Sequence, residues 1–446
     1  MARIILWAGL ALCVASAPPA HARTLWQDTV QTDRNDGEAN DVAVTSAMVI
    51  AGGGTVIRDH SEALLRAYAP LSGTLLWQDR RSVGGGSEEI LELATLGRRI
   101  FAAVSAFRFS QETGSDWVVR AHDEMTGALL WEDDRDDGDL DAAQNVTAAD
   151  GRVFVAGTVT AGDAGAAAVV RAYDAVTGAL LWQDVGAPGV ASLGVSEVVA
   201  GAGRVWVASD YVQTTLLRAY DAATGMLVWT DTLDKAFVGH LAAAGGRLFI
   251  STHFGPRGFV RAYDGESGVL AWQVEEAADT PKNRNVLYDT ALAASDDVLY
   301  TGVTRLRPVT SALTAYDAGT GAVLWRNGDA GAAWDLTLDG TRLYAATGTE
   351  DFGVRAFASA SGALAWQSAR REDGRAFAIA TRAGVVFAAG FAGPAAGAFH
   401  VAAFDGARGL LVKPVIRGRT LPTVPVLFGR VGAGAGRGRG GAAGRP

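Results

Sequence analysis

The sequence predicts an all-β fold, an eight-bladed β-propeller of four-stranded antiparallel blades closed by the N-terminal strand. Three observations predict it. A ten-residue phrase recurs eight times. Its closing Trp positions stand 41 to 54 residues apart, which suits a four-stranded blade with its loops and is too long for one hairpin. The last copy lacks its Trp, and an orphan copy of the phrase's end stands near the N-terminus.

The phrase reads YAPLSGTLLW from Tyr68, HDEMTGALLW from His122, YDAVTGALLW from Tyr173, YDAATGMLVW from Tyr220 and YDGESGVLAW from Tyr263. It continues as YDAGTGAVLW from Tyr316, FASASGALAW from Phe357 and FDGARGLLVK from Phe404. Its sixth place is always Gly: Gly73, Gly127, Gly178, Gly225, Gly268, Gly321, Gly362 and Gly409. A hairpin loop of this length commonly ends at positive φ, which Gly adopts without a Cβ penalty. Asp123, Asp174, Asp221, Asp264, Asp317 and Asp405 stand where a short carboxylate accepts turn amide hydrogens, so they read as turn residues rather than catalytic acids.

Upstream of the phrases lie apolar runs such as RVFVAG from Arg152, RVWVAS from Arg204 and RLYAAT from Arg342. Each follows a further strand-like stretch across a Gly or Asp turn, giving four strands of about four to seven residues per unit. The final phrase ends Leu411-Val412-Lys413, whereas Thr24-Leu25-Trp26-Gln27-Asp28 matches the LWQD ends at Trp77 and Trp182. The N-terminal strand is therefore expected to complete the eighth blade and remove an open edge. With it, the docking Trp residues are Trp26, Trp77, Trp131, Trp182, Trp229, Trp272, Trp325 and Trp366. One Trp per blade at a fixed radius would pack each blade on its neighbour.

Three domains follow: a signal peptide at 1–22, the propeller at 23–413 and a Gly/Arg-rich tail at 414–446. Arg3, the apolar run Ile4 to Val14 and Ala20-His21-Ala22 form the leader. The run is well short of the roughly 20 residues a membrane span needs, so no transmembrane span is expected. Cleavage would leave Arg23 first and place the chain in the periplasm or outside the cell. The single cysteine, Cys13, lies in the leader, so the mature chain has no thiol and no disulfide. Lipidation of Cys13 is opposed by Leu12, where a lipid box carries a small residue. The tail, ending GAGAGRGRGGAAGRP, cannot bury enough to fold, and disorder is expected from about residue 432 onward.

The formal charge of −9 becomes −10 without Arg3, and the seven basic residues from Lys413 onward leave −17 on the body. Such a body repels nucleic acid and anionic lipid, so neither is expected as its partner.

Candidate chemistry is sparse. The acidic run Glu132 to Asp141 offers Asp133, Asp134, Asp136, Asp137 and Asp139 as weak Ca²⁺ ligands, but it lacks EF-hand spacing and reads better as a solvated loop. His60, His122, His240, His253 and His400 are scattered without paired spacing. Arg66, Arg120, Arg171, Arg218, Arg261 and Arg355 precede the phrase aromatic by two positions, which suits stacking or pairing with a neighbouring blade. No catalytic residues are assigned.

The copies Ala172 to Trp182 and Ala219 to Trp229 resemble the A-x-D-x-x-T-G-x-x-x-W docking motif of pyrroloquinoline-quinone (PQQ) repeat propellers, and the resemblance covers nearly all of 24–413. It implies eight blades girdled by Trp, not a quinone, since fold and function separate. One branch of that superfamily, the quinoprotein alcohol dehydrogenases, implies PQQ held with Ca²⁺ and a disulfide between adjacent cysteines, which this chain cannot form. The other branch, similar to the outer-membrane β-barrel assembly scaffold, implies no cofactor and a protein partner met through loops on one face. The second is the expected function, with a PQQ-dependent dehydrogenase as the alternative, and the chain is expected to be a monomer.

Overall fold

The computed structural model describes residues 20–22, 24–30, 37–57, 60–82, 86–108, 114–135, 141–160, 166–186, 192–255, 257–276, 288–306, 309–348, 352–368, 373–393 and 397–407. By their contacts the residues divide into two units, Met1–Leu411 and Val412–Pro446, and everything described belongs to the first. Most of the expected leader and the whole expected tail lie outside the described residues.

The described strands form eight four-stranded antiparallel blades in succession; one parallel bridge, Ser61 with Ser87, joins the first two into a single sheet, and Ala20–Ala22 adds a strand to the seventh. The first blade is Gly37–Val44, Val49–Ile57, His60–Tyr68 and Leu75–Arg81. The second is Gly86–Leu96, Arg99–Arg108, Ser115–Asp123 and Leu129–Arg135, and the third Ala142–Ala149, Arg152–Thr160, Ala166–Asp174 and Leu180–Val185. The fourth comprises Ser192–Gly201, Arg204–Tyr211, Thr214–Asp221 and Leu227–Asp234. Phe237–Ala244, Arg247–Phe254, Arg257–Asp264 and Leu270–Glu276 make the fifth, and Tyr288–Ala294, Val298–Leu306, Val309–Asp317 and Val323–Asn327 the sixth. The seventh is Ala333–Asp339, Arg342–Thr347, Gly353–Ala358 and Leu364–Ser368. The eighth is Gly374–Arg382, Val385–Ala392 and Ala398–Asp405, completed by Thr24–Thr29.

That last strand is the N-terminal segment expected to close the fold. It pairs antiparallel with Ala398–Asp405, Trp26 opposite Ala403 and Asp28 opposite Val401. First strands of consecutive blades touch one another all the way round, and that of the eighth touches that of the first. They are therefore innermost, and the fourth strands, which alternate exposed with half-buried residues, form the rim. The four strands of each blade run from five to eleven residues, longer than the sequence suggested, because pairing continues past the apolar stretch into polar residues such as Ser87–Glu88 and Arg108.

Among the described residues no single core exists. The buried apolar residues separate into eight clusters, each shared by two adjacent blades. Val42, Ala51 and Tyr68 of the first blade meet Phe387, Phe399 and Val401 of the eighth in one of them. The middle strands make this possible because both of their faces are apolar. Arg152–Thr160 and Ala166–Asp174 are buried almost throughout, as strands covered on two sides must be.

Candidate functional site

The seam between blades is built by the recurring phrase. Every docking Trp donates its indole N–H to a turn carbonyl of the next blade, at 2.8 to 3.4 Å, from Trp26 to Pro70 through Trp366 to Gly406. Six of the eight are half-buried, while Trp272 and Trp366 are buried. Gly73, Gly127, Gly178, Gly225, Gly268, Gly321 and Gly362 all have φ between 67° and 73°. A second constraint was not foreseen: a Cβ on each of them would run into the Trp of the preceding blade. Gly409 lies outside the described residues.

The phrase Asp residues cap their turns. Asp221 accepts the amide of Thr224 at 2.9 Å and its hydroxyl at 2.8 Å, and these bonds hold its carboxyl below the ordinary range. Asp123, Asp264 and Asp317 are depressed in the same way, first by the Thr or Ser hydroxyl, and Asp174 first by the Thr177 amide.

A second acid, two residues beyond Trp, joins one blade to the next. Tyr68, Tyr173 and Tyr220 donate their hydroxyls to Asp28, Asp133 and Asp184 of the preceding blade at 2.8, 2.7 and 2.6 Å. Tyr263 does the same to Asp231 at 2.8 Å; Tyr316 donates at 2.6 Å to Glu276, four residues beyond Trp272, because Val274 holds the usual place. Arg66, Arg120 and Arg218 pair with Asp28, Asp79 and Asp184, also across seams. Arg171 instead stacks over Trp117. Where the following phrase begins with Phe, the acid is absent: Asn327 precedes Phe357 and Ser368 precedes Phe404.

The weak Ca²⁺ candidates are thereby placed. Asp133 accepts from Tyr173 and Arg135, and Asp134 pairs with Arg81 at 2.7 Å. Asp136, Asp137 and Asp139 lie outside the described residues. Among the described residues no group of three or more His, Cys, Asp or Glu is arranged to hold a metal ion.

The site that sequence reasoning missed lies in the middle of the ring. Most innermost strands carry a β-bulge, and the first paired residue after it is Asp41, Glu92, Asn145, Glu197 and Asp335 in the first, second, third, fourth and seventh blades. His240 sits within the bulge of the fifth. An innermost strand has no neighbour on one edge, so its freed N–H groups need other acceptors. The preceding blade supplies them. Asp41 accepts from Leu93 N–H at 2.8 Å, Glu92 from Val146 at 2.7 Å, Glu197 from Leu241 at 2.9 Å and Asp335 from Ile379 at 2.9 Å. Glu197 also meets the His240 ring at 3.3 Å.

These groups face one another across the centre. Burial raises Asp41, and burial with the charges of Asp41 and Glu197 raises Glu92 well above the ordinary range. Asp335 is pushed up to about 7, by burial first and by Asp41 last, with His240 and two backbone amides acting against it. The signal was present in the sequence as a polar residue just before a buried apolar one, in Asp41-Val42, Glu92-Leu93, Glu197-Val198, His240-Leu241 and Asp335-Leu336. These positions lie outside the ten-residue phrase that defines the repeat.

Residues 166–310 and 303–412 match the model of the family described as outer membrane protein assembly factor BamB, and the two segments make up more than half of the chain. The chain belongs to this family. Its first two blades, which lie before the matched residues, repeat the same seam geometry, so the BamB-family architecture runs through all eight. BamB from Moraxella catarrhalis is similar over 86% of this chain and 99% of its own, with a TM-score of 0.55 and 16% identity. The quinohemoprotein alcohol dehydrogenase ADHIIG from Pseudomonas putida HK5 is similar over 89% and 78%, with a TM-score of 0.61 and 12% identity. The C-terminal WD40 domain of Sif2 reaches 0.60 at 10% identity over 87% and 99%. At these identities the likeness is one of fold. No curated protein matches the chain. Among the described residues no helix is long and apolar enough to cross a membrane.

Proposed function

We propose that this BamB-family propeller is a non-catalytic, exported protein-interaction scaffold serving cell-envelope or outer-membrane protein assembly. The observation that carries the reading is the rim. Leu75-Leu76, Leu129-Leu130, Leu180-Leu181, Leu227-Val228 and Val323-Leu324 are each 36% to 56% exposed on their outer strands. Exposed apolar residues recurring at the same place on five blades offer contact area to another polypeptide, which supports a binding role. In this reading the leader at 1–22 is removed, Cys13 goes with it, and the chain works in the periplasm or outside the cell as a monomer.

The alternative, a PQQ-dependent dehydrogenase, fits the residues poorly. PQQ is itself a tricarboxylate, and the centre of this ring presents Asp41, Glu92, Glu197 and Asp335, each already accepting a backbone amide. Burial and mutual repulsion already oppose ionisation of the carboxyls at Asp41, Glu92 and Asp335, and three further carboxylates would add to that repulsion. The one cysteine of the sequence cannot supply an adjacent pair. The test is a pull-down of the exported protein from envelope extract, together with addition of PQQ and Ca²⁺. Recovery of a barrel-assembly partner supports the scaffold. Tight PQQ binding with dye reduction by alcohols or sugars would overturn it.

A further inference from the structure

The seventh blade carries a fifth strand. Ala20–Ala22 lies along the outer edge of Leu364–Ser368 in parallel, Ala20 opposite Trp366, His21 opposite Gln367 and Ala22 opposite Ser368. Among the described residues every other outer strand ends its sheet. The difference is chemical. Each of the other seven carries at least one charged residue, as in LLWQDRR, LLWEDDR, VLWRN and TLWQDT, whereas LAWQS carries none. Charge along a rim strand opposes pairing with a further chain, because pairing would strip it of water. The seventh blade has lost this protection for a local reason. Its Ser368 stands where Asp184 and its equivalents receive a Tyr hydroxyl and an Arg, and the eighth blade offers Phe404 and Ala402 there instead.

We infer that the outer edge of the seventh blade, Leu364–Ser368, is a strand-acceptor site for an extended, uncharged segment of a partner polypeptide, which takes the place of Ala20–Ala22. Affinity comes from main-chain hydrogen bonds, and the uncharged edge gives the selectivity over the other seven rims. Vacancy of the edge in the exported chain rests on the reading of residues 1–22 as a leader; acceptance of a strand rests on the edge alone.

The experiment keeps the two apart. The intact mass of the exported protein shows whether residues 20–22 remain. Amide hydrogen exchange then compares Leu364–Ser368 with the third blade's Leu180–Val185. In chains retaining 20–22, the seventh-blade edge should exchange about tenfold more slowly, and the advantage should vanish in an A20P/A22P variant, which lacks two donors. In chains starting after residue 22, a capped peptide of residues 17–22 should restore the protection saturably at the seventh blade alone. Gln367→Lys, which puts on this edge the kind of charge the others carry, should weaken that peptide about tenfold with an unchanged melting temperature. Equal exchange at the two rims in the longer chain, or peptide protection that is missing or spread over all rims in the shorter one, overturns the assignment.

Discussion

A Cβ built on Gly225 would stand 2.6 Å from Cδ2 of Trp182 in the preceding blade, while Gly225 itself holds φ at 72°. The phrase therefore demands glycine twice over, once for the backbone and once for the ring lying against it. Gly225→Ala should destabilise by about 2 to 4 kcal/mol, of which about 1 to 2 reflects the left-handed backbone alone. Trp182→Ala removes a half-buried indole and its 3.2 Å bond to Ala222, at about 3 kcal/mol, the low end of the range for such truncations. The double variant should cost less than the sum, because the methyl then has no ring to strike. Strict additivity in chemical denaturation would show that the ring and the glycine do not constrain each other.

Trp366, buried at the seventh seam, offers the contrast. Its replacement by Ala should cost about 4 to 5 kcal/mol, more than at Trp182, since more apolar surface is returned to water. Equal losses at the two positions would mean that exposure does not govern the seam.

Charge is also spent between blades. Arg81 of the first blade, nearly buried, lies 2.5 Å from the buried carboxylate of Glu88 and 2.7 Å from Asp134, both of the second. Its burial opposes the charge, but Glu88, Asp134 and Glu132 hold its guanidinium above even its usual range. Arg81→Met should cost about 3 to 5 kcal/mol by leaving Glu88 without its cation in a dry site. Adding Glu88→Gln should recover part of that loss, and a double variant no better than Arg81→Met would refute the pairing.

The fold was legible because its constraints are local and repeated. Gly at the turn, Trp four residues on and an orphan Trp26 facing a copy without one are enough to number the blades and close them. The acid two residues beyond Trp was readable in part: it stands at Asp28, Asp79, Asp133, Asp184 and Asp231 and is missing before Phe357 and Phe404, but Val274 holds that place before Tyr316, whose acceptor Glu276 lies two residues further on. The central acids were not. Asp41, Glu92, Glu197, His240 and Asp335 are far apart in sequence, differ in type and are missing from three blades. Only the closed circle of innermost strands brings them to face one another. The partnership of Ala20–Ala22 with Leu364–Ser368 was hidden for a similar reason, as an uncharged edge means nothing until seven charged ones surround it.

The hydroxyl at the seam can be weighed separately. Tyr220 donates to Asp184 at 2.6 Å, and Arg218 meets the same carboxylate at 3.0 Å. Tyr220→Phe keeps the ring against Trp182 and deletes one bond to a charged acceptor, so about 1.5 to 3 kcal/mol should be lost. Phe357 and Phe404 already lack this hydroxyl, so a Tyr at Phe404 has no acid to meet at Ser368 and should bring no comparable gain. A gain at Phe404→Tyr as large as the loss at Tyr220→Phe would detach the hydroxyl's value from the acid.

Stability should also fall as pH rises through neutrality, and Asp335 should be a principal cause. Burial lifts its carboxyl to about 7 from an ordinary 3.8, so the folded chain holds a proton that the unfolded chain has already released. The stabilisation is complete below about pH 4 and is lost as pH climbs through 7. Asp41 and Glu92 are raised too and push in the same direction, while His240, when charged, acts against them. Asp335→Asn carries no charge at any pH yet keeps an acceptor oxygen for Ile379 or Leu336, whose amides Asp335 now holds at 2.9 and 2.7 Å. Thermal midpoints of the two proteins should therefore lie close together at pH 5 and separate by pH 8. The variant should then be the more stable by about 1 to 2 kcal/mol, a value discounted for the water that reaches the centre. Parallel curves from pH 5 to 8 would place the proton elsewhere, and a steeper decline in the variant would mean that the ionised carboxylate, not the neutral acid, is what joins the seventh blade to the eighth.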